Sequence, residues 1–488
     1  MKLKTLAAAC AMAFAGQAFA LSPVTYPVTA ATQQIFFAGS SALQNALGET
    51  AQDLFVNGAA GSSTATDEFF DGTATKASGS NFRAYYGVLK STGAKAVIYH
   101  TAKGGSIYGV NPVALGTTVA RLDLTTCGTA SISTDAKTSL PVWSCTGSVL
   151  AVPDAGISDV EPAVLEQPAN ITKIAGVIPA DIGGPLTTAQ LGNLASTVAV
   201  GQVFGVVVNT SVASTSKIAN LSKAQVAALF TGTIADWNTI DSTIPAGSTT
   251  LVVCRRQSGS GSQAALNAVI LGNPCKTGFA VPAGYDFTSA PLGVTTAAPA
   301  GTVVVVENSS TGALASCMTY AQSGTPAGQA IDVTTGGLVT AGAANSVVLS
   351  ATPKANYAIG IIGLDHGVGS DLYQNVTLNG IAPSLANAQL GQYDLVVEST
   401  FQIRSGLSGA VAGTVLPSAG ATALYNLVLA DVQNPAILGG SIGAVVPGLL
   451  GLSENGYAPT TLGSFSASFP VLQVGNFGNT CAPFQQLQ

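Results

Sequence analysis

The sequence predicts an α/β fold with at least two lobes, and three observations carry that reading. Short β-branched runs alternate with segments that open like capped helices. The 488 residues exceed what one ordinary hydrophobic core holds. Gly, Ser, Thr and Ala are spread throughout, so neither a flexible linker nor an internal repeat divides the chain.

The elements follow in order. Lys2 and Lys4, an apolar run from Leu6 to Phe14 and the small-x-small site Ala18-Phe19-Ala20 predict a secretory leader over 1–20, cleaved before Leu21. Cys10 offers lipidation as the alternative. Ser41 and Gln44 have the spacing of a capping box, opening a helix with Leu43, Leu47 and Leu54 on or near one face. "AVIYH" (96–100) is strand-like. Thr187 with Gln190 and Ser222 with Gln225 are two further capping boxes, the second helix ending near Gly232. "VFGVVVN" (203–209), "TLVVC" (250–254), "TVVVV" (302–306), "AIGIIGL" (358–364) and "YDLVVEST" (393–400) read as strands.

Composition excludes several classes. The chain carries 17 Lys and Arg against 23 Asp and Glu, a net charge of −6. That balance gives no reason to expect nucleic acid or an anionic membrane as partner. Past the leader no segment offers the roughly 18 uninterrupted apolar residues of a membrane span, so no direct membrane insertion is expected. Six cysteines remain after the leader: Cys127, Cys145, Cys254, Cys275, Cys317 and Cys481. An even number in an exported chain predicts disulfides and no free thiol, with many pairings open. Nearest neighbours in sequence suggest 127 with 145, 254 with 275 and 317 with 481. No C-x-x-C spacing occurs and the only histidines are His100 and His366, so no metal or other cofactor is expected.

One stretch stands out. "CRRQSGSGSQAALNAVILGNPC" (254–275) sets two arginines before a Ser/Gly alternation, in a chain poor in charge. It follows a strand and runs into a helix from Ala264. Helix-start amides lack internal partners and carry positive partial charge. Gly259 and Gly261 permit close backbone approach, while Ser258, Ser260 and Ser262 add hydroxyl donors. The planar donors of Arg256 match a tetrahedral oxyanion. The plain alternative is a capped helix after a flexible turn. No Gly-Lys-Ser/Thr follows, which excludes a Walker loop, and no G-x-S-x-G elbow surrounds Ser260.

Four stretches in this order carry a resemblance: "FAGSSAL" (37–43), "GISDVEP" (156–162), "LSKAQVAALFTGTIADWNTI" (221–240) and "RRQSGSGSQ" (255–263). Together they resemble the periplasmic substrate-binding component of ABC-type phosphate importers. The resemblance runs over roughly the whole mature chain, with insertions mainly around residues 55–150 and 275–350. It implies a two-lobed, periplasmic-binding-protein-like fold of type II, cluster C, with two crossing strands near 203–209 and 391–404. Lobe I would comprise 21–205, completed by the return strand and tail over 391–488, and lobe II would comprise 206–390. The implied ligand is inorganic phosphate or a related oxyanion, and the implied partner an inner-membrane ABC permease. The phosphate contacts it implies are Ser41, Ala42, Ser106, Asp159, Arg256, Ser258, Ser260, Gly261 and Ser262. Ser258 departs from the pattern, since the family usually has an Asp there beside the arginine.

The expected protein is therefore a periplasmic or secreted binding protein and not an enzyme. The alternative is a secreted structural or surface protein that retains the fold with a modified anion site. A serine hydrolase is disfavoured by the missing elbow.

Overall fold

The structure is a computed structural model that describes residues 32–56, 67–71, 81–128, 133–134, 141–171, 185–209, 218–285, 288–350, 356–366, 372–442, 448–459 and 463–486. The leader at 1–20 and Cys10 lie outside the described residues.

Most described strands join one mixed sheet. Those that position the site are β1 (Gln33–Gly39), β2 (Phe82–Val88), β3 (Lys95–Thr101), β4 (Ala155–Ser158), β5 (Leu194–Asn209), β6 (Thr250–Arg256), β7 (Val303–Asn308), β8 (Asn356–Gly363) and β9 (Val396–Arg404). Their spatial order is β7-β6-β8-β5-β9-β4-β1-β3-β2. Each run read as a strand in the sequence falls wholly or mostly within one of these.

The long strand β5 divides the sheet. Its first part, Leu194–Val203, pairs antiparallel with β9; its last part, Phe204–Val208, pairs antiparallel with β8. On one side β4, β1 and β3 run parallel, and on the other β8, β6 and β7 do. Buried apolar residues fill these parallel strands because both faces are covered, with valine and isoleucine most frequent in β7 and β8. Helices α1 (Gln44–Leu54) and α5 (Ala419–Gln433) cover one face of the first half, with Leu43, Leu47, Leu54, Leu424 and Val428 in that core. Helix α4 (Thr311–Ser323) covers one face of the second half, burying Leu314, Cys317 and Met318 against Val252, Val304 and Val306. A third core runs across both halves and includes α2 (Lys223–Phe230), α3 (Gly261–Leu266) and the fully buried Trp237.

The capping boxes at Thr187 and Ser222 are both formed. The one expected at Ser41 is not. Helix α1 starts at Gln44, its N-cap is Leu43, and no side chain caps it. The Ser41 hydroxyl is engaged instead with Thr311 and Arg256, across the sheet division.

Two of the three expected disulfides are also corrected. Cys127 bonds Cys145 as expected, but Cys254 bonds Cys317 and Cys275 bonds Cys481. Strand alternation explains the change. Leu251 and Val253 face the core that holds α3, whereas Val252 and Cys254 face the core that holds α4. Cys254 therefore points away from the helix that leads to Cys275, and toward the helix that carries Cys317.

Cys275 instead anchors the C-terminal segment, whose amides also donate to carboxylates. Glu398 accepts the amides of Asn476 at 2.9 Å and Gly478 at 2.6 Å. Glu454 accepts that of Phe477 at 3.1 Å, and Glu161 that of Thr480 at 2.9 Å. Burial, then the neighbouring charge of Glu398, pushes the Glu454 carboxyl up to about 7.

Candidate functional site

Parallel α/β sheets leave the carboxyl ends of their strands free to carry loops, and ligands of such sheets bind there. Here the ends of both half-sheets meet. β1 leads into Ser40, Ser41 and Ala42; β3 leads to the turn at Ser106; β4 leads into Asp159. From the other side β6 ends on Arg256 and leads through the Ser/Gly turn to α3, while β7 leads through Ser309 and Ser310 into α4 at Thr311.

The two glycine-rich turns pack backbone to backbone. The Ile107 amide donates to the Gly259 carbonyl at 2.9 Å. Gly259 has φ +83°, a left-handed conformation that only glycine takes freely. A Cβ on Gly261 would come within 2.3 Å of Ser106 Oγ and 2.8 Å of Asp159 Cβ. No other residue fits that approach, so Gly261 sets how closely the two halves join.

Asp159 lies at the centre. Its carboxylate accepts from Ser40 Oγ and, at 2.8 Å, from Ser262 Oγ, one hydroxyl from each half. Its amide donates to Ser106 Oγ at 3.2 Å. The Ala42 amide donates to Ser40 Oγ at 3.1 Å. Burial raises the Asp159 carboxyl above the ordinary range, against the lowering effect of the serine hydrogen bonds and Arg256. Asp365, at the end of β8, is pushed up to about 8 by burial first and by the charge of Asp159 second.

Arg256 supplies the positive charge. It is buried, and burial lowers its pKa to about 10 although Asp159 raises it. Nε donates to the Asn308 carbonyl at 3.1 Å, Nη2 to the Ser309 carbonyl at 3.3 Å, and Nη1 to Thr311 Oγ1 at 3.2 Å and Ser41 Oγ at 3.5 Å. Ser41 and Thr311 also lie 3.3 Å apart, hydroxyl to hydroxyl. Behind this layer Gln263 fixes the turn: its Oε1 accepts the Arg256 amide at 3.1 Å and its Nε2 donates to Asn267.

Ser41, Ala42, Ser106, Asp159, Arg256, Gly261 and Ser262 thus come together. Ser260 sits among them, with its oxygen accepting the Gln263 amide as the N-cap of α3. Ser258 is half-buried on the turn. Ser40 and Thr311 belong to the cluster and escaped the sequence reading. Ser40 had a signal in the doublet of "GSSAL", and Thr311 in "ENSSTGAL" (307–314), where a strand again runs through hydroxyl residues into a helix. Asp365 had none, since its neighbours in space come from distant strands. Among the described residues no group of three or more His, Cys, Asp or Glu could hold a metal ion.

No protein-family model matches the chain, and no curated protein does. Solved structures resemble it in fold, the mixed α/β class that the sequence predicts. A phosphate ABC transporter substrate-binding protein from Clostridium perfringens is 10% identical, over 81% of this chain and 92% of that one, at a TM-score of 0.38. PstS from Borrelia burgdorferi is 12% identical, over 86% of this chain and 98% of that one, at 0.35. A phosphate-binding protein from Stenotrophomonas maltophilia is 12% identical, over 76% of this chain and 78% of that one, at 0.34. At these identities and TM-scores the likeness is one of fold alone.

Proposed function

We propose that this chain is an exported binding protein for inorganic phosphate or a related oxyanion, working without catalysis as the substrate-binding component of an ABC-type uptake system. The carrying observation is the meeting of Arg256 and Asp159 from opposite half-sheets among buried serine and threonine hydroxyls. A tetrahedral oxyanion needs donors from several directions, and arginine with hydroxyls supplies them. A carboxylate beside an anion repels it unless the ligand brings a proton. Phosphate near neutral pH carries a P–O–H that an ionised Asp159 can accept; sulfate has none. The lobes are 21–205 with 391–488, and 206–390, with β5 and β9 as the crossing strands. The chain leaves the cytoplasm on the leader at 1–20.

A second reading, a secreted structural protein with a modified site, draws on a different observation. Ser41 bonds Thr311 and Ser262 bonds Asp159, two direct contacts that hold the two halves together.

Isothermal titration of the purified protein with phosphate separates the two. The binding reading expects saturable phosphate uptake, and Arg256→Ala at least about tenfold weaker, because a charged hydrogen bond contributes roughly 1.5–3 kcal/mol. A wild-type protein that takes up no phosphate leaves the structural reading standing.

A further inference from the structure

A buried arginine that is to meet an anion has to be held in one orientation. The common device is a carboxylate, which fixes the guanidinium but also cancels part of its charge. Arg256 is oriented without one. Among the described residues its guanidinium hydrogen-bonds only neutral oxygens: the carbonyls of Asn308 and Ser309 and the hydroxyls of Thr311 and Ser41. Three of these come from a single stretch, the end of β7 and the first residue of α4.

The three do different jobs. The carbonyls of Asn308 and Ser309 take Nε and Nη2 and so fix one edge of the planar fork. Thr311 takes Nη1 and fixes the other end. A carbonyl can only accept, whereas a hydroxyl that accepts from Arg256 still has a proton to donate. Donation by Arg256 polarises that O–H, as in any hydrogen-bond chain. Thr311 is itself buried. Its Oγ1 stands 3.3 Å from Ser41 Oγ of the opposite half, so the hydroxyl lies where the two half-sheets meet.

We propose that Thr311 is a further binding and positioning residue of this site. It positions Arg256 without neutralising it and offers its own O–H to the bound oxyanion. This makes the stretch after β7 a further wall of the site, beside the turns after β1, β3, β4 and β6. The inference rests on the reading of this cluster as an oxyanion site.

The test is isothermal titration with inorganic phosphate of wild type, Arg256→Ala, Thr311→Val and Thr311→Ser, with the melting temperature of each ligand-free protein. Valine keeps the branched shape and removes the hydroxyl. Thr311→Val should weaken phosphate about tenfold, and Thr311→Ser, which restores the hydroxyl, should stay within about threefold of wild type. If Arg256→Ala weakens phosphate and Thr311→Val does not, the role of Thr311 is overturned while the oxyanion reading stands. If Val and Ser weaken it equally, the methyl group and packing matter rather than the hydroxyl, and the role is again overturned. If Arg256→Ala itself binds as wild type, the oxyanion reading fails and takes this inference with it. Should Thr311→Val melt lower, the serine variant decides: wild-type affinity supports the role, and weakened affinity removes it.

Discussion

Arg255 and Arg256 are neighbours on one strand, both buried, and they have opposite fates. Arg255 stands directly across from Glu307 on the adjacent parallel strand and pairs with it through Nη2. Its Nε donates to the Ala283 carbonyl at 2.6 Å and its Nη1 to the Arg256 carbonyl at 2.8 Å. Arg256 stands across from Asn308, and its guanidinium reaches carbonyls and hydroxyls at the meeting of the two half-sheets. Alternation along the strand is what separates them. A one-residue step turns a charge sealed under the sheet into a charge aimed at the site. The lesson is that the arginine doublet is not a doubled site: one arginine is spent on an ion pair inside the fold, and the other reaches the candidate site.

The largest effect should come from breaking the sealed pair. Removing one partner of a buried ion pair leaves the other charge unpaired and costs about 3–5 kcal/mol. Glu307→Ala should lower the unfolding free energy by about that much in denaturant titration. A loss under about 1 kcal/mol would show that Arg255 finds other partners and that the contrast is false. Replacing both members by apolar residues of similar volume should recover most of the loss.

Glu166, a buried carboxylate with no cation paired to it among the described residues, offers the reverse case: it accepts the Leu186 amide at 2.7 Å, while its other oxygen has no hydrogen-bond partner among the described residues. Burial, only partly offset by that hydrogen bond, pushes its carboxyl from 4.5 up to about 7. The folded state then binds a proton that the unfolded state has released. Stability from this group therefore falls as pH rises from about 4.5 to about 7 and is level above. Glu166→Gln should gain about 3 kcal/mol over wild type at pH 8 and nothing at pH 4, a difference read from unfolding curves at the two pH values. An equal gain at both would sink the linkage.

Arg256→Lys is a smaller step that tests the fork rather than the charge. Lysine has no planar donors to reach Asn308, Ser309 and Thr311 together. Phosphate affinity should fall about tenfold with ligand-free stability changed by under about 1 kcal/mol. Wild-type affinity in this variant would mean that a point charge suffices.

The smallest expected change is in anion choice. Asp159→Asn still accepts a hydrogen bond through its amide oxygen but no longer repels an unprotonated anion. It should keep measurable phosphate binding and lose part of its discrimination against sulfate, since a site built to pair with a ligand donor rejects analogues lacking it. Competitive titration of both anions checks this. An unchanged phosphate-to-sulfate ratio would reduce Asp159 to a turn residue.

What the sequence by itself determined is local. Valine and isoleucine runs mark β5, β6, β7 and β8 because strands buried on both faces need such residues. The capping boxes at Thr187 and Ser222 depend on groups only three residues apart, and both form. The Ser/Gly turn is legible because its glycines permit a backbone approach that no other residue allows. Tertiary structure decided the rest. The Ser41 hydroxyl could cap α1 or reach across to Thr311 and Arg256, and only the packing of the two half-sheets selects the second. The partner of Cys254 depends on which helix covers its face of β6, which sequence proximity to Cys275 does not reveal. Ser40, Thr311 and Asp365 join Asp159 and Arg256 from strands far apart in the chain. A site built at the carboxyl ends of several strands is assembled by strand order, and strand order is set by how the whole sheet closes its core.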